Sequence, residues 1–167
     1  MSQITHNQIF LKRDDFIVSK TDQKGKIIYG NKAFIELSGY STEELYGAPH
    51  SILRHPDMPK VVFQLLWERI KNKKEVFAYV KNRTKDGSYY WVFANVTVTL
   101  NSNGTIRDFH SVRRQPSDKA MKIIPELYKD LLLEEQKGGM NASKLLLENT
   151  LNKNGVDYDQ FILALQK

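Results

Sequence analysis

Hydrophobic and polar residues alternate with two different periods along the first part of the chain. Residues 15–19 and 26–29 are rich in apolar and β-branched side chains and flank a turn containing Gly25, which predicts a β-hairpin. A short helix is predicted next, with Asn31 placed to cap its start and Gly39 to end it. The chain is therefore expected to open with two strands followed by a helix.

The same alternation predicts further helices and three more strands. Ser41 is placed to cap another helical turn, and from residue 59 to 74 the apolar side chains fall on one helical face. Residues 76–80, 89–100 and 106–112 have strand character and are separated by Asp-Gly and Asn-Gly turns. The predicted order is β-β-α-α-α-β-β-β, an α+β arrangement.

The last third of the chain has only helical periodicity. Pro125 indicates a kink or a second helix start, and Gly138-Gly139 indicates a break before helices at 141–152 and 158–165. The apolar stripe of these helices needs a surface, either the sheet of their own chain or another protein. We expect an N-terminal cap at residues 1–14, a sensor domain at 15–115 and a helical extension at 116–167.

Composition narrows the range of possible chemistry. The 167 residues suffice for one core of roughly 100–120 residues and an appendage. Cysteine is absent, which excludes disulfides, thiolate metal sites and a cysteinyl adduct with a flavin. There is no basic-then-apolar leader, and no apolar run approaches the roughly 18–20 residues of a spanning helix. We therefore expect a cytoplasmic protein without direct membrane insertion.

The net charge of +6 is unevenly distributed. The first 115 residues hold 18 Lys and Arg against 11 Asp and Glu, whereas residues 116–167 hold 7 against 8. The basic side chains are spread among loops and strand ends, without a helix-turn-helix, zinc-finger or RNP pattern. Nucleic-acid binding is therefore not expected.

Residues 49–59 combine three prolines with an unusually high density of ionisable side chains. His50, Arg54, His55 and Asp57 all fall within these eleven residues. Proline fixes φ and removes backbone donors, so this run cannot be a helix interior or a paired central strand. The pattern predicts a loop that faces a polar or anionic ligand.

Several motifs together carry a family resemblance. They are Gly30-Asn31-Lys32-Ala33-Phe34, Ser38-Gly39-Tyr40, Glu43-Glu44-Leu45-Tyr46-Gly47, Arg54-His55-Pro56-Asp57-Met58-Pro59, Val80-Lys81-Asn82-Arg83 and Asp86-Gly87-Ser88-Tyr89-Tyr90-Trp91-Val92. Residues 10–115 resemble a PAS domain of the aerotaxis-receptor (Aer) type. The resemblance implies a five-stranded antiparallel sheet with short helices over one face, enclosing flavin adenine dinucleotide (FAD) whose redox state is sensed.

The resemblance also implies partners. The short layout is similar to the stand-alone FAD-binding PAS subunit of bipartite energy-taxis systems (CetB-like), which acts through a membrane-bound chemotaxis transducer protein. We accordingly expect a redox sensor for aerotaxis that forms a homodimer and docks on such a transducer. The C-terminal helices are candidates for either contact.

A dinucleotide needs cations near its phosphates and hydrogen-bonding side chains around its ring. Arg54 and His55 are the candidates for phosphate or adenine contacts. Asp57 is placed either to contact the cofactor or to cap the helix that opens at residues 58–59. Asn31 and Asn82 are candidates for the flavin ring edge, although Asn31 also fits a helix cap and Asn82 a strand-end turn.

Aromatic residues and two strand residues complete the candidate set. Phe63, Trp67 and Trp91 are candidates to line the pocket, with plain core packing as the alternative for each. Asn95 and His110, on the last two strands, are candidates to point inward. These assignments extend the expected site from the proline-rich loop to the sheet.

The sequence departs from the family at the start of the strand that precedes Lys81-Asn82-Arg83. Aer-type domains carry a Pro-Trp pair there, whereas this chain has Glu75-Val76. Phe77 cannot replace the tryptophan, because a shift of one residue along a strand reverses the face. A different cofactor affinity or redox potential is expected.

Two other functions are consistent with the sequence. One is a haem-binding PAS gas sensor in which His50 or His55 is the axial ligand. The other is a cofactor-free PAS module that acts only by protein–protein interaction. No nucleophile is set beside a base in a recognisable context, and no phosphate-binding Gly-rich loop is present, so an enzyme is not expected.

Overall fold

A computed structural model describes residues 3–167, which form one antiparallel sheet with helices on both of its faces. The strands are β1 (Ile17–Asp22), β2 (Ile27–Gly30), β3 (Val76–Arg83), β4 (Tyr89–Leu100) and β5 (Ile106–Arg114). The helices are α1 (Lys32–Ser38), α2 (Thr42–Leu45), α3 (Lys60–Lys71), α4 (Asp118–Lys153) and α5 (Tyr158–Gln166), with a 3-10 helix at His50–Leu53. This confirms the predicted α+β class and element order.

The strand order in the sheet is β2-β1-β5-β4-β3, so β1 joins the N-terminal hairpin to the C-terminal three strands. All four pairings are antiparallel, and Ala94 on β4 lies opposite both Ala78 on β3 and Arg113 on β5. Side chains alternate between the two faces of a strand. Ala94 and Arg113 therefore point to one face, termed the inner face, and Asn95 points to the other, termed the outer face.

Local side-chain caps fix the short helices on the inner face. Asn31 accepts a hydrogen bond from the Phe34 N–H, and Gly39 ends α1 with φ 73°, as the sequence predicts. Ser41 forms a capping box with Glu44 at α2. These caps hold the connection between β2 and the proline-rich loop.

The start of α3 differs from the prediction for Asp57. Pro59 precedes the first turn, and no side chain caps it. The carboxylate of Asp57 is instead bound to Lys81 of β3. The prolines do exclude a long helix in this loop, but a single 3-10 turn fits between Pro49 and Pro56.

The C-terminal helices pack on the outer face and the edge of β3. The hydroxyl of Tyr128 donates to the carbonyl of Tyr79 (2.7 Å), and the hydroxyl of Tyr158 donates to the carbonyl of Phe77 (2.9 Å). The Tyr79 hydroxyl donates in turn to the carbonyl of Ile162 (3.0 Å). Of the two placements left open by the sequence, the extension thus covers its own chain.

Helix α4 is interrupted where the glycine pair predicts a break. Gly139 has φ 74° and ψ −168°, outside the helical region, whereas the chain stays helical through Pro125. The second part of α4 and helix α5 form a hairpin, and Arg69 of α3 bridges to Asp159 of α5 (2.6 Å). The hairpin is thus tied to α3 as well as to β3. No helix of residues 3–167 combines the length and apolarity needed to cross a membrane.

The N-terminal segment runs beside the start of β4. The Thr5 N–H donates to the carbonyl of Gly87 (2.9 Å), and the Ile9 N–H donates to the carbonyl of Tyr89 (2.8 Å). Leu11 is buried, and its carbonyl accepts a hydrogen bond from the side chain of Gln115, which follows β5. This segment links the β3–β4 hairpin to the beginning of the C-terminal extension.

Candidate ligand cavity between the third helix and the sheet

A cavity of about 350 Å³ lies between α3 and the inner face of the sheet. Its volume is within the range of pockets that hold small molecules or cofactors. Most of its wall is apolar, with a few polar groups on the sheet side and at the mouth. It is lined by Ser19, Thr21, Lys24, Gly25, Pro49, His50, Ser51, Arg54, Phe63, Leu66, Trp67, Ile70, Val80, Asn82, Ala94, Val96, Phe109, Ser111 and Arg113.

Arg113 is the principal polar group of the cavity wall. Its residue is 2% exposed, one terminal nitrogen lies 3.1 Å from Nε2 of His50, and the other donates to the hydroxyl of Ser19. No carboxylate among residues 3–167 pairs with it, and its Nε is buried without a hydrogen-bond partner. A buried cation without a counter-charge is unfavourable in an apoprotein, so this wall suits an electron-rich ligand.

The protonation states of this group follow from burial. Burial and the charge of Arg113 lower the pKa of His50 to about 3, so the imidazole is neutral and accepts the arginine N–H at Nε2. Burial lowers the pKa of Arg113 to about 10, which still leaves it cationic at neutral pH. The sheet side of the cavity therefore carries the positive charge of Arg113, and no Asp or Glu lines the cavity.

Asn82 supplies the second polar group of the inner face. It is 4% exposed on β3, lines the cavity, and hydrogen-bonds the hydroxyl of the buried Tyr90 on β4. A side-chain amide can both donate and accept. Asn82 and Arg113 thus present hydrogen-bonding groups from opposite sides of β4.

Arg54 and two aromatic residues shape the mouth. The Arg54 guanidinium lies 3.7 Å from the centroid of the Phe63 ring, and partial burial lowers its pKa. Trp67 lines the cavity and packs edge-on against Phe109, with ring centroids 5.6 Å apart. Lys24 is a further cation of the lining, beside Arg54 and Arg113. The structure thus brings the sequence-predicted Arg54, Phe63, Trp67 and Asn82 together.

His55 and Asp57 lie outside the cavity, contrary to the expected cofactor contact. His55 is 4% exposed and packs against Tyr89 with ring centroids 5.8 Å apart, while Asp57 pairs with Lys81 at 2.7 Å. The loop crosses the edge of β3 between Arg54 and His55, which separates neighbouring residues onto different sides. Both side chains therefore tie the loop to the sheet.

The remaining candidates are also placed away from the cavity. Asn31 is held by backbone groups of Val18, Phe34 and Phe16 as a cap. Strand alternation corrects the others: Trp91, Asn95 and His110 point to the outer face. Trp91 packs against Tyr128 and Asn95 donates to Glu75.

The departure at Glu75-Val76 has the predicted structural consequence. Phe77 lies on the outer face, stacked on Phe93 with ring centroids 5.7 Å apart, and does not line the cavity. No aromatic residue takes the place of the missing tryptophan on this strand, because the neighbouring inward residues are Val76 and Ala78.

The sequence prediction missed Ser19 and Arg113. Both lie on strands whose pairing across β1 and β5 brings distant positions together, and neither belongs to a motif. A signal was present for Arg113: it is a charged residue on the same face of its strand as the aromatic Phe109, four positions earlier. Such a residue in a core-facing register indicates a function or a partner.

The geometry does not favour the haem alternative. Nε2 of His50 is already occupied by Ser19 (3.1 Å) and Arg113 (3.1 Å). His55 lies outside the cavity, and its Nδ1 accepts the N–H of Asp57 (3.1 Å). An axial ligand needs a free imidazole nitrogen that faces the cofactor, and neither Nε2 of His50 nor the His55 ring outside the cavity meets this requirement.

A family profile and several known proteins are similar to this chain in sequence. The sequence profile of the PAS fold matches residues 27–113. The aerotaxis receptor of Escherichia coli (strain K12) is 38% identical over 128 residues, which cover 77% of this chain and 25% of the receptor. The nitrogen fixation regulatory protein of Klebsiella oxytoca is 28% identical over 100 residues, covering 60% of this chain and 20% of that protein. The chain thus spans a quarter or less of these relatives.

Solved structures share the fold. A light-oxygen-voltage domain from a study with a flavin analogue superposes with a TM-score of 0.55 at 19% identity, covering 73% of this chain and 85% of that one. This chain and that domain therefore share a fold.

Proposed function

Because the chain belongs to the PAS fold family, with a domain of the aerotaxis-receptor type, we propose that it is a redox sensor, not an enzyme, that binds FAD in the cavity beneath α3. The proposal includes signalling by protein–protein interaction to a membrane-bound chemotaxis transducer, and a homodimer as the functional unit. The observation that carries it is the buried cation Arg113, which has no carboxylate partner among residues 3–167, in the wall of a largely apolar cavity.

The cavity residues fit the ring of a flavin. A flavin ring is flat, largely apolar on its faces, and rich in acceptors along one edge. Apolar side chains such as Leu66 and Val96 line the cavity walls, while Asn82 and Arg113 supply hydrogen-bond donors on the sheet side. The buried Nε of Arg113 has no hydrogen-bond partner within the described part of the chain and is therefore a donor available to a ligand.

The mouth fits the rest of a dinucleotide. A cavity of about 350 Å³ encloses a ring system but not an entire dinucleotide, so the phosphates would lie at the opening. Arg54 and Lys24 are the cations there, and guanidinium groups bind phosphate oxygens in a bidentate manner. We therefore assign the phosphate contacts to these two residues.

Bound FAD would supply a reversible electron acceptor. In the protein, Arg113 would favour added negative charge on the ring, because it is a fixed cation in a site of low dielectric constant. His50 stays neutral beside it and keeps the guanidinium oriented toward the cavity. The positive charge of Arg113, oriented by His50, would thus stabilise the reduced flavin relative to the oxidised flavin.

Strand β3 offers a route from the cavity to the C-terminal helices. Its inward residues Val80 and Asn82 line the cavity, and its carbonyls at Phe77 and Tyr79 are held by tyrosines of α5 and α4. A change of hydrogen bonding at Asn82 would alter the same strand that anchors the helices. We propose that the transducer binds these helices and that its binding depends on their position.

The test is the visible absorption spectrum of the purified protein, before and after dithionite. Flavin bands that bleach on reduction, with FAD released by heat, are the expected result. A Soret band would replace the proposal with haem, and a colourless protein that does not take up added FAD would leave an assembly module.

A further inference from the structure

The proline-rich loop crosses the edge of β3 within two residues. Arg54 forms an isolated antiparallel bridge with Asn82 and lines the cavity. His55, the next residue, is buried against Tyr89, and its N–H is directed to the carbonyl of Lys81 (3.4 Å). Arg54 therefore lies at the cavity mouth, whereas His55, the next residue, is anchored outside the cavity.

Three side chains form the anchor, here termed the loop latch: His55, Asp57 and Lys81. The ammonium group of Lys81 binds the Asp57 carboxylate at 2.7 Å and lies 4.2 Å from the centroid of the Tyr89 ring. Nδ1 of His55 accepts the Asp57 N–H (3.1 Å), which requires a neutral imidazole. The Lys81 side chain is only 13% exposed, so the pair is shielded from solvent on one side.

Arg54 itself is held in a different way. Its guanidinium rests on the face of Phe63 and forms no ion pair with a carboxylate among residues 3–167. The placement of its backbone therefore decides where its charge lies. That backbone is fixed by the bridge to Asn82 on one side and by the latch on the other.

We propose that His55, Asp57 and Lys81 are positioning residues that hold Arg54 at the cavity mouth for the phosphates of the ligand, without contacting the ligand themselves. This inference rests on the proposed function. None of the three lines the cavity. The latch determines affinity for the phosphate-bearing part of the ligand and leaves recognition of the ring unchanged.

Two ligands separate the two parts of the site. FAD carries the phosphates, whereas riboflavin has the same ring and no phosphate. Arg54→Gln is expected to weaken FAD binding about tenfold, because it removes a charge-assisted contact. Asp57→Asn is expected to weaken FAD binding about fivefold, the upper range for a partly exposed ion pair. Neither variant should change the affinity for riboflavin.

The double variant tests whether Asp57 acts through Arg54. If it does, Asp57→Asn has no further effect on FAD affinity in the Arg54→Gln background. The charge exchange Asp57→Lys with Lys81→Asp should restore FAD binding, since it rebuilds the ion pair. Titration calorimetry of the apoprotein gives all these constants, and Glu36→Gln, which removes the exposed pair with Lys32, is the matched control.

Three results would overturn the positioning role. They are an equal loss of riboflavin affinity in Asp57→Asn, a full additional loss in the Arg54→Gln background, or unchanged FAD affinity in the single variant. If the unaltered protein binds neither FAD nor riboflavin, the proposed function fails, and this role fails with it. Binding of riboflavin but not FAD by the unaltered protein would instead contradict only the phosphate assignment.

Discussion

Arg113 on β5 and His50 in the 3-10 helix meet at 3.1 Å, and the contact joins a buried guanidinium to a neutral imidazole. Neither residue has a carboxylate partner among residues 3–167. Proteins rarely bury an arginine without a counter-charge, because desolvation of the cation is expensive. The pair therefore favours binding of a ligand over stability of the empty protein.

Replacing Arg113 by methionine should raise the stability of the apoprotein and lower its affinity for flavin. The apoprotein is expected to gain about 1–2 kcal/mol in free energy of unfolding, because an unpaired buried charge is replaced by an apolar side chain of similar length. Flavin retention should fall at the same time. Urea denaturation and the ratio of flavin to protein absorbance measure the two effects. Arg114→Met, at the next residue on an exposed position, should change neither.

Filling the cavity should abolish flavin uptake without unfolding the protein. Ala94 is 2% exposed and lies on the cavity wall. A leucine there would occupy space that the ring needs, and extra apolar contact would offset any strain. Absorbance after incubation with FAD and gel filtration gives the outcome. Asn95→Leu, one residue along on the outer face, is the control, and loss of flavin there would argue against this cavity.

Stability is expected to fall as the pH is lowered from 7 to 5. Burial holds the pKa of His50 at about 3 and that of His55 at about 4, against 6.5 for a free imidazole. Between these values the unfolded chain binds more protons than the folded protein, so acid favours unfolding. With both histidines contributing, the slope approaches about 2.7 kcal/mol per pH unit.

Urea midpoints at several pH values measure this slope. His50→Gln should remove about half of it, because one of the two buried imidazoles no longer takes up a proton on unfolding. A free energy of unfolding that stays constant between pH 7 and 5 would contradict the assignment of neutral buried histidines.

Tyr128 of α4 and Tyr158 of α5 should each stabilise the fold through the hydroxyl that donates to a β3 carbonyl. Tyr128→Phe and Tyr158→Phe leave the carbonyls of Tyr79 and Phe77 without a donor at the covered edge. Each change is expected to lower the free energy of unfolding by about 1–2 kcal/mol. Tyr46→Phe, at an exposed ring, is the control. Equal stability of all three variants would show that these hydroxyls exchange with water.

The fold followed from the sequence because each signal was local. Asn31 and Gly39 set the limits of α1, glycine-containing turns set the hairpins, and alternation set the strands. The position of Phe77 on the outer face followed from the same alternation. Parity is reliable once a strand boundary is known, since a strand has only two faces.

The site was only partly predictable because it depends on long-range placement. Arg54, Phe63, Trp67 and Asn82 were identified, since loop chemistry and helical spacing mark them. Arg113 and Ser19 are brought together across 94 positions by strand pairing, which no local pattern encodes. His55 and Asp57 were assigned to the ligand because nothing in the sequence shows on which side of β3 the loop passes.

Both edge strands of the sheet, β2 and β3, form hydrogen bonds with other segments of the same chain. At β2, the Ile27 N–H donates to the carbonyl of Ala48 and its carbonyl accepts from Gly47, while at β3 two tyrosines occupy carbonyls of the Val-Phe-Ala-Tyr-Val run. An uncovered strand of this composition is a template for edge-to-edge aggregation. A truncation before α4 would therefore expose an aggregation-prone edge strand. The C-terminal helices thus protect the protein against edge-to-edge aggregation by covering β3.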